Sequence, residues 1–278
     1  MKKKIDYFRI LNLYLPLFLL LLFALFPYIW TILSSVKPES ELFTRQIHYL
    51  PQSPTFQNYV SLFKLTNFSK YLSNSLIVAI STVIVAIIIS TLAAYAFARF
   101  SFPMKNILLV VVLITTMFPK VLLIIPLFKI FAFLKMMNTY IALILAHSTF
   151  AIPFAVWMLT GYLEMIPKEL DEAAWVDGCT KFQALFKIIL PIMAPGLAAT
   201  IVYIFIQSWN DYLYAVMFTS DLTVRTLPVG LKMFVGKFEV NWGWLTAGGV
   251  VTSIPIVLFF FFVQRHLIKG LTAGAVKQ

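Results

Sequence analysis

Long uninterrupted apolar segments constrain this chain more than any other feature of its sequence. There are about six of them, and each is close to the ~20 residues that cross ~30 Å of hydrocarbon as a helix. Because lipid offers the backbone no hydrogen-bond partner, such segments must be helical. The chain is therefore predicted to be an all-α membrane protein, with six transmembrane helices at about 11–33, 72–98, 107–131, 139–162, 192–218 and 248–263.

The composition of the chain also indicates a membrane protein. Hydrophobic residues make up 61% of the chain and charged residues 12%, against roughly 45–50% and about 25% in an ordinary soluble domain. One water-soluble core of 278 residues cannot bury that excess, and no tandem repeat or soluble domain is evident, so a single transmembrane domain over 1–278 is predicted. The first span follows Lys2, Lys3 and Lys4, as the apolar part of a signal peptide would. Because its apolar run is too long for a signal peptide and no A-x-A cleavage site follows, the span is predicted to be retained.

The distribution of basic residues predicts the orientation. Twelve Lys and Arg fall in the loops and terminus on the side of the N-terminus, and eight fall on the opposite side. Since cytoplasmic loops carry the excess of positive charge, both termini and the segment 163–191 are expected to be cytoplasmic. The longer segments 34–71 and 219–247 are then expected to be external.

The cytoplasmic segment 163–191 holds five of the 11 acidic residues of the chain. Pro167 suits the first turn of a helix, and the acids that follow it are favoured by the exposed N–H groups there. Gly178 can adopt the left-handed conformation that ends this helix, and Thr180 with Gln183 can form a capping box that starts the next. The segment is therefore predicted to form two short helices that present acids and small residues to the cytoplasm.

Two interpretations of this segment follow from local physics alone. It can be a well-capped connector between two spans. Alternatively, the exposed step Ala173–Ala174 beside acidic residues suits insertion into a groove on a partner protein.

A resemblance to a known family distinguishes these interpretations. The stretch "EAAWVDG", followed by "IILP", resembles the EAA loop of binding-protein-dependent ATP-binding-cassette (ABC) importer permeases. Nearly the whole chain resembles the carbohydrate branch, and the tail "GLTAGAVK" is similar to that of the smaller permease subunit of maltose-type importers. Cys179 is a departure, because the family usually has Ala there. The matching loop residues are Glu172, Ala173, Ala174, Gly178, Ile188, Leu190 and Pro191.

The resemblance implies a type I ABC importer permease fold and a sugar or oligosaccharide as the transported substrate. It implies three kinds of partner protein in addition to membrane lipid: a second homologous permease subunit, two ATP-binding subunits and an extracytoplasmic solute-binding protein. This chain itself would bind no cofactor, since ATP and Mg²⁺ would be held by the partner subunits. The implied location is the bacterial inner (cytoplasmic) membrane, with the chain a transporter subunit and not an enzyme.

The resemblance also implies residue roles. The EAA loop would form a coupling helix that contacts an ATP-binding subunit, and the C-terminal tail would approach the same subunits. The external loop between the fifth and sixth spans would contact the solute-binding protein. The residues implied for coupling are Glu172, Ala173, Ala174, Asp177 and Gly178, and those implied for the tail are Gly270, Leu271, Thr272 and Gly274.

Polar residues within the spans are the other candidates for function. Lys120 lies about thirteen residues into the third span, near the middle of the bilayer and next to Pro119, so its ammonium should face the bundle interior or an aqueous path. Lys120 can pair with a neighbouring helix or with the partner permease, or it can have a pathway or substrate role. Gln207, Asn210 and Asp211 in the fifth span can form hydrogen bonds between helices or line the pathway. His147 is interpreted as a hydrogen-bonded core residue.

Other functions are disfavoured by what the sequence lacks. The net charge of +11 is scattered between apolar runs, which does not indicate nucleic-acid binding. Three His and one Cys, widely separated, predict no metal site. The nearest approach to a phosphate-binding loop, "GLKMFVGKF", is one residue too long and lacks the Ser or Thr after its Lys. An ion-coupled transporter or channel would need paired ionisable groups or an inverted repeat, and a membrane enzyme would need a convergent catalytic set.

Overall fold

The fold is almost entirely helical. A computed structural model describes residues 7–44, 46, 48–236 and 239–275, with side chains described from 12 to 264 within these ranges. In the described residues, the only pairing of β type is one antiparallel bridge between Val235 and Val240. The α-helices are α1 Tyr7–Ser35, α2 Glu39–Leu42, α3 Gln57–Leu65, α4 Phe68–Arg99, α5 Lys105–Met117, α6 Ile124–Phe133, α7 Tyr140–Glu164, α8 Glu169–Val176, α9 Lys181–Ala184, α10 Leu190–Ile192, α11 Ala194–Trp209, α12 Leu213–Phe218, α13 Leu227–Met233 and α14 Trp242–Ala275.

Within the described residues, four helices are long and apolar enough to cross a membrane alone, namely α1, α4, α7 and α14. Two bent pairs, one on each side of α7 in the chain, bring the number of candidate spans to six if each pair is one span. The membrane-embedded, all-α fold class is therefore confirmed. The described part of the chain divides into two compact units, residues 1–68 with 231–254 and residues 69–230 with 255–278.

The third predicted span is not one continuous helix, which corrects the expectation for 107–131. Helix α5 ends at Met117, a 3₁₀ turn covers Lys120–Leu123, and the two halves meet at 96°. The cause is Pro119, which lacks an N–H and forces the residue before it out of the helical region. Phe118 accordingly has an extended ψ of 131°.

The fifth predicted span, about 192–218, is also interrupted. The segment Lys181–Ile192 meets α11 at an angle of 79°. At the other end, residues 210–212 separate α11 from α12, and Asp211 Oδ1 accepts a hydrogen bond of 2.9 Å from the backbone N–H of Tyr214. A side chain that caps a new helix start thus replaces the continuous helix that hydropathy predicts.

In the first unit, α3 packs on the end of α1. The side-chain amide of Asn58 donates to the carbonyl oxygens of Ser35 and Lys37, at 2.8 Å each. The Ser35 hydroxyl is 2.7 Å from the hydroxyl of Tyr59. The two bonds from Asn58 thus give partners to carbonyls at and just after the end of α1.

In the second unit, α7 is the central helix. One buried cluster joins it to α6 and α12, and includes Leu143, Phe131 and Phe218. A second cluster joins the other end of α7 to α4 and to the segment that follows α9. The small residues of α4 at four-residue spacing, Ser90, Ala94 and Ala98, are all buried, so this face of α4 packs inside the bundle.

Candidate functional site

The acidic segment folds as predicted, as a short helix followed at once by a second one. Helix α8 has its three acids in the first turn, where the free N–H groups favour negative charge. Gly178 follows with φ of +84°, the left-handed conformation expected for the residue that ends a helix. Thr180 and Gln183 form a complete capping box at the start of α9. These three local predictions are confirmed.

A buried ion pair fixes α8 to the bundle. Nε of Arg99, at the end of α4, donates to Oδ2 of Asp171 at 2.7 Å, and the two side chains are 2% and 1% exposed. The hydroxyl of Tyr95, one turn earlier in α4, donates to the other carboxylate oxygen at 2.8 Å. Both oxygens of Asp171 therefore have partners, as a buried carboxylate requires.

The guanidinium of Arg99 also holds the end of α7. Its terminal nitrogens donate to the carbonyl oxygens of Leu163 at 3.1 Å and Ile166 at 3.0 Å. These carbonyls lie at and just after the C-terminal end of α7, and that of Leu163 also accepts the backbone N–H of Ile166. A single arginine thus joins α4, α7 and α8. Sequence reasoning missed this role, because Asp171 was interpreted only as part of the exposed acidic patch.

The opposite edge of α8 faces away from the bundle. Glu172, Ala173, Asp177 and Gly178 are exposed, and Val176 is 87% exposed. Ala174 is buried at 2%, so the expectation of an exposed Ala173–Ala174 step is wrong for Ala174. The helical period explains the difference, since Ala174 lies three residues after Asp171 and shares its inward face.

The helix after the turn is held by its own apolar face. Ala184, Leu185 and Ile189 are buried, and the latter two belong to the cluster that contains the C-terminal ends of α4 and α7. The ammonium of Lys181 lies 4.6 Å from the ring centroid of Phe100, within the range of a cation–π contact. The loop 163–191 is thus packed at both of its short helices, with the edge Glu172–Gly178 left free.

The four residues predicted to line the pathway are not part of the site at α8, and they do not form one cluster. Lys120 and Gln207 come together, with Nζ of Lys120 3.4 Å from Oε1 of Gln207, and both line a cavity of about 130 Å³. Asn210 is exposed and Asp211 is a helix-capping residue, and neither lines this cavity. The structure therefore joins only two of the four.

His147 is a buried residue with polar contacts, in agreement with its interpretation from the sequence. Its Nδ1 is 2.6 Å from the hydroxyl of Ser208. Its Nε2 lies 3.5 Å from Oδ1 of Asp211, a separation that is long for a hydrogen bond. The two contacts connect α7 with the end of α11 and with the interruption that follows it.

The tail residues predicted to approach the ATP-binding subunits are Gly270, Leu271, Thr272 and Gly274. The backbone of α14 continues through them to Ala275. Their side chains, and residues 276–278, lie outside the described residues, so this role stays a prediction.

Comparison with known proteins identifies the family. Residues 86–273 match the family described as "Binding-protein-dependent transport system inner membrane component". The chain is 39% identical to the trehalose transport system permease protein SugB of Mycobacterium tuberculosis, over 92% of this chain and 93% of that protein. It is 37% identical to the sulfoquinovosyl glycerol transport system permease protein SmoH of Agrobacterium fabrum, over 93% of this chain and 91% of that protein.

Solved structures share the fold. One chain of a bacterial ABC transporter involved in the import of the acidic polysaccharide alginate superposes with a TM-score of 0.80, at 21% identity, over 95% of this chain and 99% of that one. A chain of the alginate transporter in complex with an alginate pentasaccharide-bound periplasmic protein has a TM-score of 0.67, at 16% identity, over 92% of each chain.

These matches include both the segment 163–191 and the cavity around Lys120 and Gln207. The relatives are named as transport-system permeases, which are transporter subunits and not enzymes. The chain belongs to the family of binding-protein-dependent transport system inner membrane components, and it is a multi-pass permease of the inner membrane.

Proposed function

We propose that this chain is the membrane subunit of an ABC importer that moves a sugar or oligosaccharide into the cell, with α8 as its coupling helix. The observation that carries this proposal is the two-sided character of α8. One side is fixed by the buried Arg99–Asp171 ion pair, and the other side, from Glu172 to Gly178, is free to contact a partner.

Such a helix can transmit force because its attachment is stiff. Arg99 bonds to α8 and to the end of α7 at the same time, so movement of α8 pulls on two membrane helices. An isolated surface loop would yield locally and transmit little. Closure of two ATP-binding subunits would move α8, and through Arg99 would change the packing of α4 against α7.

The exposed edge of α8 has the chemistry of a docking surface. Glu172 offers a carboxylate to a basic residue of an ATP-binding subunit, Ala173 allows close approach, and Asp177 and Gly178 lie where the chain turns. Ala174 packs against the bundle on the opposite side of α8, and it is not proposed to contact the partner. The tail from Gly270 to Gln278 is proposed to approach the same subunits.

The proposed assembly contains a second homologous permease, two ATP-binding subunits and an extracytoplasmic solute-binding protein. ATP and Mg²⁺ are bound by the ATP-binding subunits, and this chain binds no cofactor. Both termini and the segment 163–191 face the cytoplasm, as the excess of Lys and Arg predicts. Support for a sugar as substrate comes from relatives named for transport of trehalose and of sulfoquinovosyl glycerol.

Glu172→Lys tests the coupling role. The variant places a positive charge on the edge that is proposed to meet a basic residue, and like-charge contact at an interface costs several kcal/mol. We expect the ATP-binding subunits to copurify at least about tenfold less, and ATP-driven uptake to be lost, while the chain still inserts into the membrane. Glu164→Lys makes the same change at an exposed acid outside α8 and should retain both activities. Normal uptake by Glu172→Lys would refute the proposal.

A further inference from the structure

The cavity beside the break in the third span contains a lysine that forms no ion pair with a described carboxylate. Nζ of Lys120 has one long hydrogen bond, 3.4 Å to Gln207, and lies 5.8 Å from the ring centroid of Phe150. An ammonium has three donors, so this environment leaves donor capacity for a ligand. A charge within a membrane-spanning segment is costly without partners, and ionisable residues in such segments mark pathways or ligand sites.

Asp211, the acidic residue among the predicted pathway residues, has its hydrogen bond and its short contact with groups other than Lys120. Asp211 accepts a hydrogen bond from the backbone N–H of Tyr214 and lies 3.5 Å from His147, and it attracts Lys120 electrostatically without forming an ion pair with it. It is not part of the cavity lining. The lining therefore holds Lys120 and His147 among hydroxyl, amide and aromatic groups and contributes no carboxylate.

Aromatic rings form much of the rest of the cavity. Phe154 and Tyr203 stack with centroids 3.9 Å apart, and Phe150 and Tyr214 lie beside them at 6.4 Å from each other. Flat aromatic faces suit the apolar C–H face of a sugar ring, while a few placed polar groups fix its orientation. The volume of about 130 Å³ fits one charged group with part of a ring and is too small for an oligosaccharide.

We propose that this cavity is a subsite for one anionic group, a carboxylate, sulfonate or phosphate, carried by the transported sugar. Lys120 binds the anion, Gln207 keeps the ammonium directed into the cavity, and the aromatic rings contact the sugar. The proposal rests on the transport function proposed above, and it narrows the substrate to an acidic carbohydrate.

Protection of Lys120 from acylation tests the proposal on the full-length chain in lipid nanodiscs. An amine-reactive ester labels the lysines, and peptide mass spectrometry follows Lys120 with Lys129, an exposed lysine outside the cavity, as the internal control. The probes are D-glucuronate, D-glucose and acetate at one ionic strength. We expect glucuronate to slow acylation of Lys120 at a concentration about tenfold below that at which acetate does, and glucose to have no effect.

Two results would overturn the proposal. Equal protection by glucose and glucuronate, or protection by neither, would mean that Lys120 only holds Gln207. Equal protection by acetate and glucuronate would mean that the cavity takes an anion without a sugar.

Thermal unfolding gives a second readout that does not depend on the reactivity of Lys120. Glucuronate should raise the unfolding midpoint of the wild type and of Lys129→Gln, and this shift should be absent in Lys120→Gln. An equal shift in Lys120→Gln would contradict the proposal. Neither measurement involves an ATP-binding subunit, so failure here and failure of the coupling role are distinguishable.

Discussion

Asp171→Asn should release α8 from the bundle, although the Asn side chain has nearly the same shape as the Asp side chain that it replaces. The substitution removes the negative charge that faces Arg99 in a site where both side chains are about 2% exposed or less. Leaving one partner of a buried ion pair uncompensated costs about 3–5 kcal/mol. Arg99 keeps its bonds to two backbone carbonyls, so the lower end, about 3 kcal/mol, is expected.

That free energy sets the size of the observable change. Since 1.4 kcal/mol is a factor of ten, a loss of about 3 kcal/mol raises the undocked population of α8 roughly 100-fold. Hydrogen exchange of the backbone amides of α8 measures this population directly, because local opening controls their exchange. We expect exchange in α8 to accelerate by up to about 100-fold, with a parallel loss of ATP-driven uptake in the assembled transporter.

Two controls make the result specific. Glu169→Gln removes one negative charge from the exposed side of the same helix and should leave exchange nearly unchanged. The double variant Arg99→Gln with Asp171→Asn leaves no uncompensated charge, so it should be less damaging than Asp171→Asn alone. Unchanged exchange in Asp171→Asn, or equal acceleration in Glu169→Gln, would refute the reasoning.

Two further predictions concern glycines. Gly178→Val should cost about 1–2 kcal/mol because L-residues with side chains are strained at a φ of +84°, and Gly178→Asn should cost less; equal losses of uptake in the two variants would contradict this cause. Gly196→Ala should lower the thermal unfolding midpoint, since an added Cβ would lie 2.6 Å from the ring of Tyr162 and overpacking costs about 1–3 kcal/mol. The loss should shrink when Tyr162→Ala is present, and an unchanged loss there would show that the ring is not the cause.

The features that the sequence predicts well are local ones. Gly178, Thr180 and Gln183 act on backbone groups within a few residues, so composition and spacing were sufficient to anticipate them. The buried stripe of small residues on α4 follows from helical periodicity in the same way.

The features that the sequence does not reveal depend on distant partners. Arg99 and Asp171 are 72 positions apart, and the first turn of a helix is a sufficient local reason for an acid. Ala174 is buried for the same reason, because it lies on the face of α8 that the Arg99–Asp171 ion pair holds against the bundle. Hydropathy averaged over a window cannot detect the bend at Pro119, although the proline itself indicates a weak point.

Reactivity of Cys179 tests the central claim most directly, that α8 lies on the inner face as the docking site for an ATP-binding subunit. Cys179 is the only cysteine of the chain and is half-buried at the turn after α8. A membrane-impermeant maleimide should label it in inside-out vesicles and not from outside intact cells, with Cys179→Ser as the unlabelled control. Addition of the ATP-binding subunit should slow the labelling. Labelling of Cys179 from outside intact cells would contradict the orientation and the coupling mechanism that depends on it.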